Sequence, residues 1–405
     1  MYKVTADGRT IVGNNEDSWG RDARIWFEPG TKDKFGVVCV GYARKQPHPD
    51  GAVNEYGLVF DAFTMPHKTN IPGRDPNKND FAYAQIKAIM QQCKTVDEVH
   101  LFLKDLNLHV LNGSILFNGG MLLFVDSTGK YLVVEASKMT FGSDDKFALA
   151  NFSIADTKDL STVKTERYRK GVSFLNNKKL ESGLPFCTAL SDTMSVNRAK
   201  VGDGTLYTSI YDLDEGLIHL YFFHDFSKRV TFNIKEELAK GEHSYDFAAL
   251  FPENEKFKKF LNYKTPQNSK PLFIFLVCCG FLFFFSSVFY LVRFSRKSKT
   301  NYRYLNLVLF ILSLALGVYM YVLLRNEGIY YFPSPYSNGK SIVVAITSYL
   351  PFVLVISLLP LLVLWLKILR QKKWEWLGKY LFLMNNIAYI ILTGLFFYWK
   401  LFDVL

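Results

Sequence analysis

Four short clusters hold the side chains able to do chemistry in this chain. Gly13-Asn14-Asn15-Glu16-Asp17-Ser18-Trp19 directly follows the strand-like stretch Arg9 to Val12, and Asn54-Glu55-Tyr56-Gly57-Leu58 leads into another. Leu149-Ala150-Asn151-Phe152 and Thr165-Glu166-Arg167-Tyr168 complete the set. Each holds an Asn, Asp or Arg near the end of a sheet. Taken singly, each reads first as a turn, because Asn and Asp side chains bond to nearby backbone. Metal chemistry is not indicated: the seven histidines form neither an i, i+4 pair nor HExxH, and no metal or cofactor is expected. GxSxG does not occur, which counts against a serine α/β-hydrolase. Cys39, Cys93, Cys187, Cys278 and Cys279 form no CxxC and no paired framework, and read as buried thiols packing as small hydrophobes.

The elements that must position these clusters are mostly strands. Tyr2 to Thr5, Thr10 to Val12, Gly36 to Tyr42, Gly57 to Phe63, Ser114 to Phe117, Met121 to Asp126 and Tyr131 to Glu135 alternate or run apolar. Thr205 to Asp212, Leu217 to His224 and Arg229 to Ile234 follow the same pattern, with hairpin-like turns at Asp126–Gly129 and Asp212–Gly216. Phe81 to Gln92 and Val96 to Leu106 read as helices, the second opened by a capping box of Thr95 and Glu98. Strands, then helices, then strands predict an α+β domain with stacked layers over residues 1–255. Residues 256–270 read as a short polar linker.

Residues 271–405 have a different composition. Pro271 to Val292, Tyr304 to Leu324, Ile342 to Leu366 and Leu377 to Trp399 are each long and apolar enough to cross a bilayer, which takes about 20 residues. Pro351 and Pro360 predict kinks in the third, and Asn385 and Asn386 predict an interhelical hydrogen bond in the fourth. No ionisable residue falls at a predicted midplane, which argues against a proton-coupled transporter. Arg293, Arg296, Lys297, Lys299 and Arg303 fill the first connection, and Arg370, Lys372, Lys373 and Lys379 the third. By the positive-inside rule these connections are cytoplasmic, so the globular domain faces the extracytoplasmic side of a multi-pass membrane protein. Lys256, Lys258, Lys259, Lys264 and Lys270, before the first span, pull the other way. The net charge of +11 is thus largely bilayer anchoring, and with no zinc-finger or helix-turn-helix pattern nucleic acid is not an expected partner.

In their order along the chain, Asp-Gly-Arg-Thr-Ile-Val-Gly-Asn-Asn-Glu-Asp, Asn-Glu-x-Gly-Leu, Ala-Asn-Phe and Glu-Arg-Tyr make the sequence from Met1 to about Pro252 resemble the choloylglycine hydrolase superfamily. That group holds conjugated bile salt hydrolases, penicillin V acylases and, more distantly, acyl-coenzyme A:6-aminopenicillanic acid acyltransferases. The resemblance implies an αββα N-terminal-nucleophile hydrolase sandwich and cleavage of a small N-acyl, non-peptide linear amide, or transfer of its acyl group. It implies an N-terminal cysteine whose own α-amino group takes the thiol proton, so that the thiolate forms an acyl-enzyme. Asp17 matches the aspartate that orients this amine and thiol, Asn151 the asparagine that helps bind the oxyanion, and Arg167 the supporting arginine. Asn54 marks the motif before the oxyanion strand, and the usual oxyanion donor falls near Thr64. Asn14 stands where the family carries an arginine.

Family spacing places the cysteine about two residues before Met1. The expectation is therefore an upstream segment carrying a leader and Cys-Thr. The alternative is a membrane-anchored pseudoenzyme that binds or senses amides without cleaving them.

Overall fold

The structure, a computed structural model, describes residues 1–42, 49–65, 73–113, 119–296, 303–333, 342–369 and 375–403. His48, His67, Trp374 and the strand expected over Ser114 to Phe117 lie outside them. The chain divides into two compact units. The first holds Met1–Asn197 and Asp203–Lys258; the second holds Lys259–Leu405 together with the segment Arg198–Gly202.

Strands of the first unit are β1 (Tyr2–Ala6), β2 (Arg9–Ser18), β3 (Ala23–Glu28), β4 (Val37–Tyr42), β5 (Pro49–Asn54), β6 (Val59–Met65), β7 (Asn79–Asp80), β8 (Leu106–Asn107), β9 (Gly119–Val125), β10 (Tyr131–Val134), β11 (Met139–Gly142), β12 (Lys146–Ala148), β13 (Gly204–Asp212), β14 (Leu217–Phe222), β15 (Asp225–Asn233) and β16 (His243–Asp246). Helices α1 (Gln85–Gln92), α2 (Val96–Leu103), α3 (Glu166–Asn177), α4 (Leu184–Met194) and α5 (Ile234–Ala239) lie between them. Two large antiparallel sheets result, ordered β12-β1-β2-β13-β14-β15 and β11-β10-β9-β6-β5-β4-β3-β16.

Each large sheet is covered on both faces, which is why β4 and β13 are buried along their whole length rather than on alternate residues. Ile86, Ile89 and Met90 of α1 and Val96, Val99 and Leu103 of α2 pack on Phe60, Leu122, Phe124 and Val134, the outer face of the eight-stranded sheet. Tyr168 and Leu175 of α3 and Cys187, Leu190 and Met194 of α4 pack on Tyr2, Val4, Ile11 and Ile210, the outer face of the six-stranded sheet. The inner faces meet each other: Phe27 packs edge-on against Phe232 at 5.5 Å, and Tyr211 of β13 reaches Gly51 of β5. The layers are therefore α, β, β, α, as expected. The Thr95 hydroxyl caps α2 by accepting from the Glu98 N–H at 3.3 Å, while the Glu98 carboxylate accepts from the Lys94 N–H.

A buried histidine makes this unit pH-sensitive. His219 in β14 shares a 2.9 Å hydrogen bond with Thr231, and burial, reinforced by Arg229, lowers its pKa from 6.5 to about 4. Between those values the unfolded chain binds a proton that the folded chain refuses, so stability falls as pH drops from 6.5 towards 4. The loss attributable to His219 should be on the order of 3 kcal/mol, at about 1.4 kcal/mol per pH unit. Urea midpoints at neutral and mildly acidic pH should diverge for the wild type and much less for His219→Gln; equal acid sensitivity of the two proteins would remove His219 as the cause.

The stretch read as a linker carries helix α6 (Glu255–Asn262). Beyond it, α7 (Lys270–Ser295), α8 (Arg303–Arg325), α9 (Ile342–Thr347), α10 (Leu350–Leu369) and α11 (Trp376–Tyr398) follow. They supply four stretches long and apolar enough to cross a membrane: α7, α8, α9 with α10, and α11. The third breaks at Ser348–Tyr349, just before Pro351, whose ring cannot donate the N–H that would continue the helix. Pro360 lies inside α10, which runs on through it. Asn385 of α11 donates to the Ser286 hydroxyl of α7 at 2.7 Å, the interhelical bond its polarity predicts, while Asn386 donates back to the Phe382 carbonyl at 2.7 Å.

Candidate active site

The site is built at the C-terminal end of β2. Alternation along that strand sends neighbouring side chains to opposite faces of the sheet. Asn15 faces the helical layer, donating to the Ser191 carbonyl of α4 at 2.8 Å, so Glu16 faces the other sheet and Asp17 turns back towards the helices. A register shift between Thr205 and Tyr207 in β13 puts Thr205 opposite Asp17 and Tyr207 opposite Glu16. The Thr205 hydroxyl then donates to Asp17 Oδ1 at 2.7 Å and accepts from the Val196 N–H at 2.9 Å.

Arg167, near the start of α3, supplies the cation. One nitrogen of its guanidinium donates to Asp17 Oδ2 and another to Asn151 Oδ1. Asn151 donates in turn to the Thr64 carbonyl at 2.9 Å. Thr64, Asn151, Arg167, Asp17 and Thr205 thus form one continuous polar chain drawn from five separate segments. Both Asp17 oxygens are engaged, which fixes the carboxylate, yet each keeps capacity for another donor. Asn151 likewise has a second amide N–H able to meet an oxyanion.

The start of β1 enters the same place. The Met1 amine donates to the Leu149 carbonyl at 3.1 Å, and the Leu149 N–H donates to the Met1 carbonyl at 2.9 Å. Burial lowers the pKa of that amine from 8.0 to about 6; Asp61 and Asp17 oppose the shift and Arg167 adds to it.

Behind the site lies a second acidic group. Asp61, on β6, is almost completely buried, and burial pushes its carboxyl well above the usual range, with the Met1 amine opposing. Burial, then Asp50 and Asp61, push Glu16 up in the same way. These carboxyls face the space between the sheets with the Tyr207 hydroxyl.

Of the residues singled out from sequence, the structure joins Asp17, Asn151, Arg167 and the main chain of Thr64. The Thr64 side chain is exposed; its carbonyl makes the contact. Asn14 is buried on the face of β2 opposite to Asp17, across from Ser209. Asn54 sits apart: it donates to the Met90 and Cys93 carbonyls at 2.9 and 2.8 Å and accepts from the Tyr56 and Leu58 N–H groups at 3.1 and 3.0 Å. Those four bonds tie the turn after β5 to the end of α1. Cys39, Cys93 and Cys187 are all buried; burial raises Cys93 to about 11, Cys187 to about 12 and Cys39 further. Among the described residues no group of three or more His, Cys, Asp or Glu is arranged to hold a metal. Sequence reasoning missed Thr205 and Asp61. A lone acid inside the apolar run Val59-Phe60-Asp61-Ala62-Phe63 was a signal for the second.

Solved structures of three proteins are similar to this chain. A variant of conjugated bile acid hydrolase from Clostridium perfringens aligns at 17% identity with TM-score 0.48, covering 63% of this chain and 99% of that one. Penicillin V acylase from Agrobacterium tumefaciens aligns at 12% with TM-score 0.44, covering 60% and 90%. A Caenorhabditis elegans ortholog of N-acylethanolamine-hydrolyzing acid amidase aligns at 9% with TM-score 0.36, covering 52% and 92%. No protein-family model and no curated protein sequence matches the chain.

Proposed function

We propose that the first unit hydrolyses a non-peptide linear amide, or transfers its acyl group, through a nucleophile carried at the N-terminal end of β1. The observation that supports this reading is the hydrogen-bonded chain of Asp17, Arg167 and Asn151, beside which the start of β1 bonds to Leu149, two residues before Asn151. β1 pairs antiparallel with β2, Tyr2 opposite Gly13. Continued in that register, the positions before Met1 run beside Asn15, Glu16 and Asp17. A cysteine there, as the family resemblance implies, has its α-amino group within the field of Asp17 and Arg167. That amine takes the thiol proton, the thiolate attacks the amide carbonyl, and Asn151 stabilises the oxyanion. The C–N bond breaks, the leaving amine takes the proton back, and water or another amine accepts the acyl group. The four apolar helices hold the unit at a bilayer, and the cations of the first and third connections favour an extracytoplasmic position for it.

The test uses full-length protein from its native cells and N-acyl aminomethylcoumarins of graded chain length. Fluorophore release, with an acyl adduct on the N-terminal peptide by mass spectrometry, is the expected result. Saturable binding with neither release nor adduct would favour the binding or sensory reading; no binding at all would reject both.

A further inference from the structure

We propose that the centre of the helical unit is a binding site for a small uncharged hydrogen-bond donor, held by the side-chain carbonyl oxygens of Asn385 and Asn386. The inference concerns the second unit alone and stands whether or not the first unit cleaves amides.

The packing of three helices brings polar side chains to one level. A Cβ added at Gly317 of α8 would lie 3.8 Å from the Phe283 Cβ of α7, and one added at Gly280 would lie 3.7 Å from the Met320 Cβ. The two helices therefore run antiparallel, and one turn beyond Phe283 this register sets Ser287 across from Ser313. α11 meets the same part of α7: the Tyr389 ring lies 5.8 Å from that of Phe283, and Asn385 donates to the Ser286 hydroxyl at 2.7 Å. Ser313 and Asn386 lie near the middle of α8 and α11, each long and apolar enough to cross a membrane. In a bilayer the group sits close to the midplane.

Its hydrogen bonding is incomplete. Asn385, Asn386, Ser313 and Tyr290, one turn beyond Ser286, are each at most 2% exposed. Asn385 donates to Ser286 and to the Leu381 carbonyl, and Asn386 donates to the Phe382 carbonyl of its own helix. Among the described residues, both asparagine Oδ1 atoms and the hydroxyls of Ser313 and Tyr290 have no hydrogen-bond partner. A buried polar atom left unpaired is costly, and more so in hydrocarbon. Helix association does not call for this: Asn385 alone supplies the interhelical bond, and a leucine at 386 would add no polar atom. The ligand's chemistry follows from the atoms. Amide carbonyls accept and hydroxyls do either, so the ligand brings O–H or N–H groups. No charged residue lies within one turn of Ser286, Ser313 or Asn385 along its helix, so a charge there would be uncompensated. Water and the hydroxyl or amide head of a neutral lipid share this chemistry.

The experiment uses the full chain in phosphatidylcholine nanodiscs, because that lipid has no hydrogen-bond donor. Monooleoylglycerol, methyl oleate and oleate are titrated into wild type and Asn386→Leu, and helix melting is followed by circular dichroism. Separately, hydroxyl radicals generated by X-rays label side chains that touch bound water. If a lipid head fills the site, monooleoylglycerol raises Tm by several degrees, methyl oleate and oleate do not, and Asn386→Leu loses the response. If water fills it, no lipid acts, Tyr290 is oxidised several times faster than the equally buried Tyr319, and Asn386→Leu loses that excess. Either result supports the inference. It is wrong if neither a donor-selective rise in Tm nor excess labelling of Tyr290 is seen, or if whichever is seen persists in Asn386→Leu. Should that variant not fold, the lipid response and the Tyr290 labelling of the wild type decide by themselves.

Discussion

Replacing Asp17 by asparagine should lower kcat/KM for amide cleavage by about a thousandfold, near the middle of the range for losing a positioned acid–base group. The substitution keeps the shape of the side chain and removes its charge. Asp17 binds Arg167 through one oxygen and Thr205 through the other, so the asparagine can satisfy Thr205 or present an amide N–H to it, but cannot balance the guanidinium. The Arg167 side chain is 27% exposed, and leaving it without its counter-charge costs roughly 1–3 kcal/mol. That is enough to lower Tm by several degrees in a domain of this size without unfolding it. Activity and stability should therefore separate: the variant stays folded, and the pH-independent rate collapses. Thr205→Val, which removes one hydrogen bond and no charge, should lose far less. Steady-state kinetics beside thermal melts of the three proteins make the check. Activity of Asp17→Asn within fivefold of wild type would mean that the carboxylate is a structural tie and nothing more.

The sequence carried more of this site than of the layer that supports it. Asp17, Asn151 and Arg167 were each recognisable as polar residues at element ends, and their order along the chain carried a family resemblance. Their meeting was not readable, because 150 positions separate Asp17 from Arg167 and only the packing of α3 on the six-stranded sheet closes that distance. The helix itself was missed. α3 buries Tyr168, Gly171 and Leu175, a helical spacing, but apart from the half-buried Val172 and Phe174 its other positions are Glu, Arg, Lys, Ser and Asn, and one of its three inward residues has no side chain. α4 was missed for a related reason: Thr188, Ser191, Asp192 and Thr193 weaken its helical signature, while Cys187 and Leu190 do the packing. Strands fared better, since two covered faces demand nearly continuous apolar runs, and β4 and β9 show them. Asn54 reads first as a turn. A motif residue beside Gly reads as functional or as a turn, and here its four bonds to backbone groups are those of a turn.

Gly204→Ala should be the most destabilising single-methyl change in the first unit. Gly204 has φ +141°, and a Cβ built there lies 1.9 Å from the Val196 carbonyl oxygen and 3.2 Å from the Asn197 nitrogen. Both are backbone atoms, so no rotamer change relieves the clash. Either the dihedral relaxes, which swings Thr205 away from Asp17, or the Asn197 bridge opens and the Val196 carbonyl loses its bond to the Thr205 N–H. A side chain in that region of backbone space costs roughly 1–3 kcal/mol, and a broken buried backbone bond costs a similar amount again. Their sum, about 2–6 kcal/mol, is a large share of an ordinary domain's stability. Gly202→Ala is the natural comparison, because Gly202 has φ +82° but open space where its Cβ would go. It bears only the left-handed penalty, about 1–2 kcal/mol. Denaturant unfolding of both variants in the full chain should therefore give losses differing by at least twofold, with Gly204→Ala also losing activity beyond its loss of fold because Thr205 moves. Equal, small losses in the two would show that the backbone around Gly204 yields readily and does not hold Thr205 in place.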